Sequence, residues 1–261
     1  MGVALRIIAA SVFAAVPGLR QFHAPFPEGF TRAQMIQRVA LDVKIADGKL
    51  KTGNVQLSAL GYRNASAKAV VPCFGTAVQT NLEGFLFPAM YAFDVRTLGR
   101  NLVANQIAAF CSAWGKLDLS YARSKGLSAY DVLKIASMVE AEAAGPADRA
   151  KVAAVIYNRL RLDMPLQIDA TLRYGLKIPP TKSITQAQLQ SDNPYNTRKL
   201  KGLPPTPIDN PGVAAMRAAA KPSTLGYLYY ARVPGTTTQK FFESYTAFQA
   251  WLAANGYGPH P

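Results

Sequence analysis

LSAYDVLKIASMVEAEAAGPADRAKVAAVIYNRLRLDMPLQIDAT, residues 127–171, decides the fold of this chain. It reads as two helical patterns joined at Gly145-Pro146, with two acids, Glu140 and Glu142, at the joint. Ser128 stands at an N-cap position and Asp131, three residues on, completes a capping box. The apolar run Val132, Leu133, Ile135, Ala136, Met138 and Val139 follows and ends in acid. At the C-terminal end of a helix the macrodipole disfavours negative charge, and burial disfavours it further. A carboxyl that keeps its proton near neutral pH can serve as a general acid, so the joint is the candidate for chemistry. Two residues apart on a helix, the acids point roughly 160° away from each other and cannot both face one ligand. Periodicity does not choose between them: Glu140 continues the Leu133, Ala136, Ser137 stripe, and Glu142 continues the Ile135, Met138, Val139 stripe.

Downstream, Gln167, Asp169 and Thr171 alternate along what reads as an extended segment, which predicts three polar groups on one face. Tyr195, Asn196 and Thr197 lie in a proline-rich loop over 193–211 and offer a stacking surface and amide contacts. For both sets the alternative is a polar network that pins loops. Ser183 or Thr185 caps a short helix, residues 225–233 and 239–243 read as a hairpin across Pro234-Gly235, and 245–255 as a closing helix.

Upstream, FHAPFPEGFTRAQMIQRVALDV reads as a strand, a turn at Glu28-Gly29, and a helix capped by Thr31, with Asp47-Gly48 offering a turn. The stretch 61–81 is loop-rich, 82–94 is an aromatic-rich extended run, and 97–125 predicts one long helix. Glu83, alone among apolar residues, reads as a structural carboxylate that satisfies backbone N–H groups. Residues 1–19 allow two readings: a short signal-peptide core, or an amphipathic helix stopped by Pro17-Gly18, favoured by Leu5, Ile7, Ile8 and Val12 near one face.

With 29 Lys and Arg against 15 Asp and Glu, the formal net charge is +14, which suits a polyanionic neighbour. The basic residues are scattered, with no run of four, which argues against a nucleic-acid partner; a bacterial wall is an acceptable polyanion. Two cysteines (Cys73, Cys111) and two histidines (His23, His260) do not build a zinc site, and a Ser-His-Asp or Cys-His hydrolase is disfavoured. No metal and no cofactor is expected. Cys73 and Cys111 form a disulfide if the protein is exported, or remain two buried thiols; the sequence leaves both open.

Seven blocks in order resemble the endolytic murein transglycosylases of the YceG-like family: L-E-G-F-L-F-P at 82–88, M-V-E-A-E at 138–142, N-R-L at 158–160, L-Q-I-D-A-T at 166–171, N-P-Y-N-T at 193–197, G-L-P-P at 202–205 and I-D-N-P-G at 208–212. The P-E-G-F-T-R module resembles the LysM-like subdomain that precedes the catalytic domain in that family. The resemblance implies an α+β fold: residues 1–21 as an N-terminal helix or the remnant of an export or anchor region, 22–78 as the LysM-like subdomain, and 79–258 as the catalytic domain. Departures are Ala170 where the family has Pro, Arg198 where an aromatic is common, Thr206 after G-L-P-P, and Ala89-Met90 within the L-E-G block. A His common near the C-terminal F-x-x-x-Y segment is also absent.

The activity implied is lytic cleavage of the MurNAc-GlcNAc bond within peptidoglycan strands, leaving 1,6-anhydro ends. The attacking group is the sugar's own C6 hydroxyl, so one carboxyl can act as acid and then base. The resemblance assigns that role to Glu140, with Glu142 in support, pairing with Arg149 or Arg159. Substrate contacts are then expected from Glu142, Asn158, Arg159, Gln167, Asp169, Thr171, Tyr195, Asn196 and Thr197. It also implies a cell-envelope, extracytoplasmic setting, membrane association in full-length members, and cell-wall synthases or divisome proteins as partners. The rival classes are a non-catalytic peptidoglycan-binding protein and, nearest enzymatically, a hydrolytic muramidase.

Overall fold

The structure is a computed structural model and describes residues 21–50 and 55–257. The expectations for residues 1–20, and His260, lie outside the described residues. The chain divides into two compact units, one formed by residues 1–117 with 209–212 and the other by 118–208 with 213–261. The stretch 79–117 thus shares a unit with 22–78.

In the first unit β1 (Phe22–Pro25) pairs antiparallel with β4 (Met90–Phe93), Phe22 opposite Phe93 and Pro25 opposite Met90. Between them run α1 (Arg32–Leu50), α2 (Ala59–Ala65) and a two-residue hairpin of β2 (Ala69–Val70) with β3 (Val78–Gln79). The expected strand-turn-helix is present: Gly29 supplies the positive φ of the turn, and Thr31 Oγ1 accepts from Gln34 N at 3.2 Å at the head of α1. Two local expectations give way to packing. Helix α1 runs through Asp47-Gly48, because Met35, Val39 and Ala46 are fully buried on one face and hold the helix beyond the local turn signal. The helix expected over 97–125 breaks: α3 (Gly99–Trp114) ends at Gly115, and α4 (Ser120–Ser124) begins after Leu119.

Cys73 and Cys111 are joined as a disulfide, which ties the turn after β2 to α3. Beside it Phe74 packs on Phe85, Phe110 and Trp114 with ring centroids 5.0–5.8 Å apart. Glu83 is buried and accepts from Arg32 N at 2.7 Å, as expected of a structural carboxylate. It also accepts from Asn210 Nδ2 at 3.0 Å, while Asn210 Oδ1 accepts from Leu86 N at 2.9 Å. The L-E-G-F and I-D-N-P-G blocks are therefore two halves of one buried polar joint, in which a charged acceptor and an amide satisfy otherwise stranded backbone groups.

In the second unit α5 (Ala129–Glu142) is the central element. Ser128 Oγ accepts from Asp131 N at 3.1 Å, and Asp131 Oδ2 accepts from Ser128 N at 3.0 Å, which completes the capping box. Val132, Leu133, Ile135, Ala136, Met138 and Val139 are all fully buried, as a helix apolar on every side requires. It packs against α6 (Arg149–Arg161), α7 (Asp169–Leu176) and α9 (Val213–Ala220). Helix α8 (Gln186–Leu189) is short and capped by Thr185, whose Oγ1 accepts from Gln188 N at 3.3 Å. The expected hairpin is β5 (Tyr229–Arg232) with β6 (Gln239–Phe242), Tyr229 opposite Phe242, and α10 (Tyr245–Ala254) closes the unit.

Candidate active site

The buried helix α5 carries its two acids out of the core at its last turn. They part company there, as their two-residue spacing dictates. Glu142 lines an open cleft of about 470 Å³ together with Asp169, Arg198, Gln167, Tyr230 and Arg159. Glu140 is not among the lining residues; its side chain is only 9% exposed and faces Arg149, Nη2 to Oε1 3.7 Å. Arg149 is thus the partner of Glu140 rather than of Glu142.

Burial pushes the Glu142 carboxyl above the usual carboxylate range, and the negative charge of Asp169 adds to the rise. Three contacts oppose it: the Tyr230 hydroxyl, which donates to Oε2 at 3.1 Å, the backbone N–H of Ala170, and the charge of Arg198. Burial and the neighbouring Glu142 push the Tyr230 phenol well above its ordinary value, so it stays a donor across the working pH range. The end of α5 is fixed from outside by Gln239 on β6, whose Nε2 donates to the Glu142 carbonyl at 3.0 Å and whose Oε1 accepts from Ala144 N at 3.3 Å. Gln239 N in turn donates to the buried Asp148 carboxylate at 3.0 Å. The otherwise orphaned carbonyl at the helix end is satisfied, and the carboxyl is aimed by a strand nearly a hundred residues away.

Gln167 and Asp169 reach the cleft, but not from an extended segment. Gln167 sits at φ 55°, in the left-handed region, and Asp169 opens α7, where the macrodipole favours an acid. The helix turns Thr171 inward: it is fully buried, donates to the Ile168 carbonyl at 2.7 Å, and lies 2.9 Å from the Thr197 hydroxyl. The shared face expected for Gln167, Asp169 and Thr171 is therefore absent, because the period changes from two to 3.6 within the block.

The N-P-Y-N-T block pins loops. Asn196 is fully buried and donates from Nδ2 to the Leu189 and Ser191 carbonyls at 2.9 and 2.8 Å. Thr197 is buried and its Oγ1 accepts from Ile168 N at 3.1 Å. Tyr195 packs beside Tyr174 at 5.1 Å, with its hydroxyl 2.8 Å from that of Thr206, and does not line the cleft. Asn158 donates from Nδ2 to the Leu225 and Tyr227 carbonyls at 3.0 and 2.9 Å, holding the approach to β5.

Arg159 borders the cleft but is buried and spends its donors on the protein. Nε donates to the Leu228 carbonyl at 2.7 Å, and Nη1 donates to the Pro165 and Leu166 carbonyls and to Gln167 Oε1 at 3.1, 3.0 and 2.9 Å. It staples the Pro165–Gln167 segment to Leu228, the residue just before β5, so its part is positioning. Arg198, which the sequence marked only as a departure, donates from Nε to Asp169 Oδ1 at 2.5 Å and places a cation in the cleft. Tyr229, Tyr230, Tyr245 and Phe248 also line it; their only signal in the sequence was the density of aromatics over 227–248. Among the described residues no cluster of His, Cys, Asp or Glu has the arrangement of a metal site.

An α+β fold with one partly desolvated acid in an aromatic-walled, cation-bearing cleft is the class these features define. The chain belongs to the YceG-like family, whose family model matches residues 7–254. Over 157 residues it is 35% identical to an endolytic murein transglycosylase of Bacillus subtilis, covering 60% of this chain and 43% of the relative. Over 222 residues it is 32% identical to an endolytic murein transglycosylase of Streptococcus pneumoniae, covering 78% of this chain and 39% of the relative. The chain thus spans about two fifths of the length of these curated relatives. A crystal structure of a yceG-like protein from Listeria monocytogenes superposes with a TM-score of 0.65 at 27% identity, over 88% of this chain and 75% of that one.

Proposed function

We propose that this protein is a peptidoglycan lytic transglycosylase in which Glu142, rather than Glu140, is the acid and then the base. The observation that carries the proposal is the environment of Glu142: a cleft-lining carboxyl that burial and Asp169 push toward its protonated form, and whose position is fixed by Tyr230 and Gln239. Protonated Glu142 gives its proton to the glycosidic oxygen as the bond from C1 of MurNAc breaks. The C6 hydroxyl oxygen then bonds to C1, its proton passes to the Glu142 carboxylate, and the 1,6-anhydro ring closes with the acid regenerated. No water is consumed, so no second carboxyl is needed to activate one. Asp169, restrained by Arg198, supplies negative charge beside the positive charge that develops at C1.

The relatives named endolytic murein transglycosylases support the substrate class. On this reading the protein works outside the cytoplasm, in keeping with the Cys73–Cys111 disulfide. Residues 22–78 are the LysM-like part that precedes the catalytic residues of 79–258.

The test is digestion of purified sacculi, with products resolved by mass spectrometry. Wild-type protein is expected to release anhydro-ended fragments, Glu142→Gln none, and Glu140→Gln most of the wild-type yield. Loss confined to Glu140→Gln would return the acid to that residue. Reducing-end products would make the protein a muramidase, and binding of sacculi without any cleavage would make it a wall-binding protein.

A further inference from the structure

One wall of the cleft takes no part in the proton transfer assigned to Glu142. It is built from Tyr229 on β5 and from Tyr245 and Phe248 on α10. Tyr229 and Phe248 stack with centroids 5.3 Å apart and planes 18° apart, and Tyr245 leans on both at 5.4 and 6.4 Å. The guanidinium of Arg159 lies 5.2 Å from the Tyr229 centroid, and Phe242 meets Phe248 edge-on at 5.6 Å. Two of the three rings are therefore spent on one another and on the protein. Tyr245 is different: it is 49% exposed although it belongs to a packed group, and Gln249, one turn on, donates from Nε2 to its hydroxyl at 2.8 Å. A ring backed by two others and restrained at its hydroxyl is a preorganised apolar plate that loses little freedom when something stacks on it.

We propose that Tyr245 is a sugar-stacking subsite, taking the C–H face of an N-acetylated pyranose of the glycan strand on the ring left open to the cleft, with the Gln249 amide beside it for a hydroxyl or acetamido oxygen. The inference rests on the reading of the cleft as a glycan site, and it moves the stacking role from Tyr195, which is packed away from the cleft, to the closing helix. Pyranose rings expose an apolar face edged by hydroxyls. A cleft that joins one exposed aromatic plate to amide and charged groups matches that mixed surface, whereas a purely apolar lipid chain would leave Asp169, Arg198 and Gln249 without partners from the ligand. Tyr245 enters α10 directly after the Ser244 cap, whose Oγ accepts from Ala247 N at 3.4 Å, so the plate is set on a helix end that the chain fixes locally.

The test separates binding from chemistry. Peptide-free glycan strands are titrated by calorimetry into Glu142→Gln protein, which holds substrate without turning it over. Adding Tyr245→Ala or Tyr245→Leu is expected to weaken binding about threefold to tenfold, the range of a single lost aromatic contact, while Tyr245→Trp retains it. Leucine keeps the apolar bulk and loses the flat face, so equal binding by Leu and Tyr would overturn stacking. Equal binding by Ala and Tyr, or no glycan binding at all, would overturn the subsite. A thermal melt of each variant within a degree or two of its parent shows that the fold is intact. If wild-type protein binds strands through Tyr245 yet yields no anhydro products, the chemistry assigned to Glu142 fails while the subsite stands.

Discussion

Replacing Arg159 with methionine separates a positioning role from a substrate contact. Methionine keeps much of the buried stem but removes four hydrogen bonds, from Nε to the Leu228 carbonyl and from Nη1 to Pro165, Leu166 and Gln167. Charge-assisted bonds of this kind contribute about 1.5–3 kcal/mol each. They share one guanidinium and do not add, and water from the adjacent cleft can reach some of the released carbonyls. Burial also lowers the Arg159 pKa, which means that folding already bears a desolvation cost that methionine removes. The balance is a loss of about 3 kcal/mol, or roughly 6–12 °C in melting temperature for a unit of this size. Arg159→Lys should fall between, since an ammonium cannot span the two segments as a planar fork does. Differential scanning calorimetry gives the stability, and sacculus digestion below the melting temperature gives kcat and KM. An unchanged melt with a raised KM would refute the staple and make Arg159 a substrate contact.

Tyr230→Phe removes a donor to the Glu142 carboxylate, so the carboxyl pKa should rise further above its ordinary value. Activity needs the protonated acid and falls as pH rises through that pKa; the alkaline limb of the rate profile should therefore move to higher pH, and a limb that stays or moves down would count against Glu142 as the acid. In the first unit, a Cβ at Gly99 would lie 2.3 Å from Tyr62 N and 2.4 Å from Gly61 C, both backbone atoms, where α3 meets α2. Gly99→Ala should cost about 1–3 kcal/mol despite alanine's better helix propensity, and a variant that melts at or above wild type would contradict the close approach.

The local rules survive where the signal is carried by near neighbours in the chain. Ser128 and Asp131 cap α5 because a capping box needs only four consecutive residues. The turn at Pro234-Gly235 joins β5 to β6 because Gly235 accepts φ 71°. The solitary Glu83 reads correctly as structural because a buried carboxylate must find donors. Where the reading departs from the structure, a longer-range interaction decides. Helix α1 passes through an Asp-Gly turn signal because its far face is buried. The Gln167–Thr171 face is lost because Thr197 accepts from Gln167 N through its carbonyl and from Ile168 N through its hydroxyl, fixing the left-handed residue that starts α7.

The acids at the end of α5 show the division most clearly. From sequence alone it follows that an apolar, capped helix ends in two carboxyls and that 3.6 residues per turn sends them to opposite sides. Which side is the cleft does not follow, because both stripes of the helix are apolar and either can face the core. Only the tertiary structure brings Asp169 and Arg198 from α7 and the loop beyond it, and Tyr230 and Gln239 from the hairpin, around Glu142, while Arg149 meets Glu140. Charge and desolvation act through space, and the groups that tune this carboxyl lie 27 to 97 residues away along the chain.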